Sequence, residues 1–267
     1  MAFVYKICTV VLLAAFAVSK AYSDCSSAIA KVEEVYPSAD QLPENLLRFY
    51  IYFSEPTAHE DILSLISLLD DQGTVVPGVF LDNRYELWSP DGRRLTLLFD
   101  PGRVKTGLVA HNHLGRALIS GENYSLRIGA FENEKGCQVF TKRFQIQPAY
   151  STRLDVADWE LSQPASDTIE PLHIGFGRVM DHLSLAYRIR VEDEEGIRIR
   201  GSLDLLEKEG VWAFTPSKPW IKGRYRIAVD TALEDVAGNR LTGVFDRPST
   251  QGELTAPPDK TYLFFSL

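Results

Sequence analysis

The sequence lacks the patterns by which hydrolases and nucleotide enzymes are recognised. It has no Gly-x-Ser-x-Gly, no His-Glu-x-x-His and no glycine-rich turn between a strand and a helix, so no nucleophile elbow, zinc-protease helix or phosphate cradle is encoded locally. Its five histidines are thinly spread, and three cysteines are too few for a disulfide-dense scaffold. Positive charge is also in deficit: 28 Lys and Arg stand against 36 Asp and Glu, a formal charge of −8, which argues against nucleic acid as a partner. Long helical periodicity is almost absent. The one extended apolar run, Ile7 to Val18, is too short for the roughly 20 residues that span a bilayer.

That run has another explanation. Lys6 precedes it, and Ala21-Tyr22-Ser23 places small residues where a signal peptidase reads, so residues 1–23 are expected to be a cleaved signal peptide. The mature chain would then be secreted or periplasmic, with no membrane insertion after cleavage. Loss of Lys6 and Lys20 takes its formal charge from −8 to −10. Cys8 leaves with the signal, and the remaining even pair, Cys25 and Cys137, is expected to form a disulfide in an oxidising compartment.

Beyond the signal, the chain repeats itself. Leu95-Thr96-Leu97-Leu98-Phe99-Asp100-Pro101 returns in shorter form as Val211-Trp212-Ala213-Phe214-Thr215-Pro216; each alternates apolar residues and stops at proline, as a strand does. Phe53 and Phe176, Gly73 and Gly196, and Gly78 and Gly201 all stand 123 residues apart. Pro101 and Pro216 stand 115 apart, and Gly121 and Gly223 stand 102 apart, so the first copy should carry two insertions of 8 and 13 residues, both in loops. Arg48–Phe53 and Leu172–Phe176 read as equivalent strands. The acidic stretches ending at Gly73 and Gly196 read as hairpin turns, as do those ending at Gly136 and Gly238. A helix over Thr57 to Leu69 is possible, but its twin, Met180 to Val191, alternates Leu183, Leu185, Tyr187 and Ile189, which favours a strand. The apolar end, Thr261 to Leu267, should pair with a sheet.

Short strands broken by Gly, Pro, Asn and Asp predict an all-β protein of two tandem Ig-like antiparallel β-sandwich domains, spanning residues 24–148 and 149–267. Phe53-Ser54-Glu55-Pro56, Trp212-Ala213-Phe214-Thr215-Pro216 and Ala237-Gly238-Asn239 make the chain resemble bacterial Ig-like domains of the S-layer (SbsA) type. The resemblance implies secreted sandwiches that act as spacers or binding units and bring no catalytic residues. Phe53 to Pro56 is also similar to the strand end of CopC-like periplasmic copper carriers. A histidine near the mature N-terminus would be implied there, where this chain has Asp24 and Cys25.

The resulting expectation is an exported non-enzymatic module with no cofactor, binding a protein or glycan partner or serving a structural role. A copper carrier or an uncharacterised secreted hydrolase is the alternative. Recognition is placed on what the first copy alone possesses: Trp88, Asp100, Arg103 and the loop to Arg116. In that loop, His111-Asn112-His113 would present both imidazoles on one face if it were a strand. The competing expectation is structural, with Asp100 capping the turn at Pro101-Gly102 and Arg103 paired to it.

Overall fold

A computed structural model describes residues 29–57, 62–82, 87–106, 108–133, 136–246 and 258–267. Alternation of apolar and polar residues builds the first sandwich. In β3 (Arg48–Phe53), Phe49, Ile51 and Phe53 are buried inward while Tyr50 and Tyr52 turn outward. β3 pairs on one side with β1 (Val32–Tyr36) and on the other with β6 (Arg94–Leu98), which also holds β5 (Leu87–Trp88). The facing sheet orders β2 (Gln41–Pro43), β8 (Gly136–Gln147), β7 (Asn123–Asn133) and β4 (Ile66–Leu69). Leu95 and Leu97 from the first sheet meet Leu126, Ile128, Phe144 and Ile146 from the second in one core.

The second copy repeats this plan. One sheet orders β12 (Gly201–Leu206), β13 (Val211–Pro216), β10 (Leu172–Gly175) and β9 (Glu160–Ser162). The other orders β11 (Ile189–Asp193), β14 (Arg224–Asp230) and β15 (Lys260–Ser266). Trp212, Phe214, Ile174, Ile227 and Phe265 fill its core. With β2 counted as an extra strand of the first copy and the rest lettered in chain order, each copy has strands A, B, E and D in one sheet and C, F and G in the other, the Ig constant-type arrangement. Each also has a tyrosine at the start of strand F reaching back to the preceding connection. Tyr225 Oη donates to the Ile221 carbonyl at 2.8 Å and accepts from its amide at 3.1 Å, and the Ile119 backbone bonds the Tyr124 hydroxyl. The last apolar segment pairs with β14 as expected.

Strand pairing sharpens the repeat. Ile66 and Ile189 hold equivalent ladder positions, in keeping with the offset of 123. Leu95 faces Ile51 where Trp212 faces Ile174, which sets the offset in strand E at 117 and not 115. Ile128 faces Ile66 where Val229 faces Ile189, giving 101 in strand F and not 102. The two prolines are therefore not equivalent, and the insertions become 6 and 16 residues. Pro216 is the last residue of β13, whereas Pro101 opens α1 beyond the end of β6 at Leu98, so a proline near a strand end does not fix register.

Three further expectations change. Met180 to Val191 is not one strand: it holds α3 (His182–Arg188) before β11. Asp181 caps that helix, accepting from the Ser184 amide at 2.9 Å, and a cap overrides an alternating pattern seven residues long. The twin segment likewise has a 3-10 turn, Ile62–Leu65, before β4. The larger insertion is not plain loop, since it folds as α1 (Pro101–Val104) and α2 (Val109–Leu114). Finally, β2 runs parallel to β8, because the chain leaves β1 at Tyr36 and crosses to the other sheet.

Candidate functional site

The residues expected to form a first-copy binding rim are placed mainly by packing. Trp88 is half-buried against the core with its ring 5.5 Å from Phe53. Asp100 is the N-cap of α1, accepting from the Gly102 amide at 2.6 Å, as its structural alternative anticipated. Arg103 is 8% exposed, and its guanidinium donates to the carbonyls of Gly115 (2.9 Å), Pro77 (3.0 Å), Arg116 (3.3 Å) and Gly78 (3.5 Å). It stitches the long E–F connection to the C–D loop, where neither an ion pair with Asp100 nor a solvent-facing role was needed to hold it. His111 and His113 lie on α2, where a spacing of two residues turns side chains to nearly opposite sides. Among the described residues no group of three His, Cys, Asp or Glu side chains could hold a metal. Cys25 lies outside the described residues; Cys137 lies on β8, where only the backbone is described.

The polar chemistry is concentrated instead where the copies meet. Loops at one end of the second copy dock on the outward face of β1 and β3 and on the turn before β3. Arg48 donates to Glu234 at 2.6 Å, with its Nε 3.7 Å from Asp181. Tyr50 Oη donates to Asp181 at 2.8 Å, and the Leu47 amide donates to the Val236 carbonyl at 3.0 Å. Val236, 3% exposed, belongs to the first copy's core although the second copy supplies it. The turn containing it was expected to be a charged hairpin tip. In fact Asp235 is fully buried, accepting from the Ala237 and Asn239 amides, the Asn239 side chain and Arg178. The connecting residue Tyr150 is held from both sides: its carbonyl accepts from Asn45 at 3.0 Å and from Asn239 at 2.9 Å.

A second contact comes from the β12–β13 turn. Glu207, Lys208 and Glu209 all have positive φ, 47°, 56° and 65°, a run that costs L residues about 1–2 kcal/mol each. It delivers the Glu209 carboxylate, 2% exposed, to the amide and hydroxyl of Ser38, both at 2.7 Å. Beside it, His182 stacks on Tyr36 with ring centroids 3.6 Å apart. The first-copy insertion also reaches across: the Thr106 amide and hydroxyl donate to Asp246 at 2.7 and 3.0 Å, and Lys105 sits 4.8 Å over the Phe245 ring.

Burial dominates the electrostatics of this junction. It raises the carboxyl groups of Asp181, Asp235 and Glu209 above the ordinary range, outweighing Arg48 at the first, Asn239 and Arg178 at the second and Ser38 at the third. Burial also lowers Lys142, which donates to the Ser38 carbonyl at 2.9 Å, and brings His182 down to about 4, with Arg94 adding to the effect and Glu34 opposing it. Perturbed groups can mark catalysis, but here they are mutually satisfied or unoriented. Asp181 is occupied by Tyr50 and Ser184, and among the described residues no carboxylate bonds Nδ1 of His182 to orient the imidazole.

The interdomain residues have no signal in the repeat, because most are paired with a residue more than a hundred positions away. Two clefts flank the junction. One, of about 680 Å³, is lined by Glu34, Tyr36, Lys142, His182, Lys208 and Glu209 among others. The other, of about 840 Å³, collects Arg48, Arg94, Arg188 and Arg240.

No protein-family model matches the chain, and no curated protein matches it significantly. Solved structures similar to it include the N-terminal Ig1-2 module of the Drosophila receptor protein tyrosine phosphatase DLAR, at 12% identity over 75% of this chain and 92% of that one, TM-score 0.24. A chimeric titin Z1Z2 functionalized with a decorin peptide matches at 13% identity over 71% and 83%, TM-score 0.23. The D1-D2 pair of Rst matches at 7% over 88% and 97%, TM-score 0.23. Scores this low transfer nothing to this chain, and its Ig-like assignment rests on strand order.

Proposed function

We propose that the chain is an exported, non-catalytic pair of Ig-like domains that works as a binding or structural module, its two sandwiches held at one fixed angle. The observation that carries this reading is the junction: Val236 entering the other copy's core beside buried Tyr50 and Asp181 and half-buried Arg48 and Glu234. Domains joined only by a flexible linker have no need of such a set, whereas a rigid spacer or a two-domain binding face does. We place the boundary between Pro148 and Ala149, export on residues 1–23, and a disulfide between Cys25 and Cys137. The partner is a protein or a glycan.

The test pairs shape with chemistry. Small-angle scattering of the purified chain should fit one rigid two-domain particle, and a broad hydrolase screen with metal analysis should return neither turnover nor bound metal. Turnover that survives repurification, or one copper or zinc per chain, would replace this reading with the hydrolase or the copper carrier.

A further inference from the structure

The arginine cleft stands out in a chain of formal charge −8. Arg48 and Arg94 enter it from outward positions on β3 and β6, and Arg188 and Arg240 from the end of α3 and the F–G loop of the second copy. Its acids are heavily shared. Glu234 serves both Arg48 and Arg240; Asp181 accepts from Tyr50 and Ser184 as well as facing Arg48; Asp230 holds Arg188 at 2.6 Å. Asp91 also lines the cleft, but it accepts from Ser89 and the Arg93 amide.

Arg94 is left over. Among the described residues it forms no ion pair; it hydrogen-bonds the Tyr52 hydroxyl and lies 6.0 Å from the Tyr50 ring centroid. Its Nε, like that of Arg48, is enclosed without a hydrogen-bond partner. A half-buried guanidinium with no carboxylate has lost part of its hydration without the partner that normally offsets the loss. Tyr187, 80% exposed, lines the same cleft and offers a free aromatic face beside the cations.

We propose that this cleft binds an oxyanion, a carboxylate or sulfate, carried on an acidic oligosaccharide, with Arg94 as the chief anion contact and Tyr187 as the platform for the sugar ring. Planar guanidinia pair such groups through two parallel hydrogen bonds, and an exposed ring next to them suits the apolar face of a pyranose. The site spans both copies, so it exists only while the junction is closed. The proposal rests on the reading of the chain as a binding module and names the ligand class for it.

Titration calorimetry of the full chain with oligouronate and with dextran sulfate, at low and moderate salt, tests it. One acidic sugar per chain should bind, with affinity falling as salt rises, and the better of the two probes identifies the anion. Arg94→Gln, which keeps a donor for Tyr52 and breaks no ion pair, should weaken binding about tenfold or more with an unchanged melting temperature. Tyr187→Ala should weaken it less, and Arg200→Gln, on the exposed surface of the second copy, should leave it unchanged. The proposal is overturned if neither probe binds, if Arg200→Gln weakens binding as much as Arg94→Gln, or if polyglutamate binds more tightly than both sugars. Those outcomes leave the non-catalytic reading standing, because that reading falls only to turnover or stoichiometric metal.

Discussion

The two copies close the same end of the same sandwich by opposite means. In the first, the connection between strands E and F is 16 residues longer, folds as α1 and α2, and is fastened by Arg103, a buried cation shared among backbone carbonyls. In the second, the connection is short and Trp220 plugs it, 2% exposed, with its indole donating to the Glu170 carbonyl at 2.8 Å and its ring packed on Phe214, Tyr225 and Phe265. A long connection brings many backbone carbonyls under cover and needs donors for them, whereas a short one leaves an apolar hole to be filled. Length changes the chemistry of closure without changing the sheets.

The largest expected effect breaks this comparison at the second copy. Trp220→Ala should cost about 3–5 kcal/mol, read by denaturant unfolding, because it empties a closely packed aromatic site. Arg103→Ala in the first copy should cost less, about 1–3 kcal/mol, since water can reach some of the released carbonyls as the connection loosens. If the two variants cost the same, the plug and the stitch are equivalent and the contrast fails.

The junction ranks beside Arg103. Asp181→Ala removes the acceptor of Tyr50 and the cap of α3 and leaves Arg48 with Glu234 alone; the expected loss is about 3 kcal/mol. Unfolding should then separate into two transitions, whereas an unaltered single transition would mean that the copies are coupled elsewhere. The two tyrosine hydroxyls at the start of strand F sharpen the likeness between copies: Tyr124→Phe and Tyr225→Phe should each cost about 1 kcal/mol.

The smallest effect concerns pH. His182, lowered from its ordinary value to about 4, binds fewer protons in the fold than in the unfolded chain between those two values, so its contribution is present above about 6.5 and is lost as pH falls toward 4. The raised carboxyls of Asp181, Asp235 and Glu209 act in the other direction, favouring the fold below their ordinary range and losing that contribution as pH rises through their raised values. His182→Phe keeps a ring for Tyr36 and removes only the first contribution. The variant should therefore lose less stability than the parent between pH 7 and pH 5, and an equal loss would show that His182 does not sense pH.

Much of the fold was legible in the residues. Alternation at Phe49, Ile51 and Phe53 and at Trp212 and Phe214 fixes which face of a strand is buried, because the side-chain period of a strand is two. The matched Gly73 and Gly196 mark turns whose positive φ suits glycine, each with an aspartate, Asp70 or Asp193, bonding the amide four residues on. The site was much less legible. Reasoning from insertions pointed to Trp88, Asp100 and Arg103, which pack and cap, because an insertion shows where the copies differ and not what the extra residues touch. The Glu234 to Asn239 turn carries the same acids and glycine as a solvent-facing hairpin tip, yet Asp235 is fully buried within it and Val236 enters the first copy's core.

The sequence by itself determined two repeated sandwiches, their inward faces and most of their turns, since these follow from interactions among residues close in the chain or from a period of two. The tertiary structure decided the rest. Strand ladders set the true offsets of the repeat, and the joining of two surfaces placed Arg94 where no acid among the described residues forms an ion pair with it. The ladder pairs behind the offsets lie 38 to 62 positions apart, and nothing in a local pattern encodes which distant partner a side chain will meet.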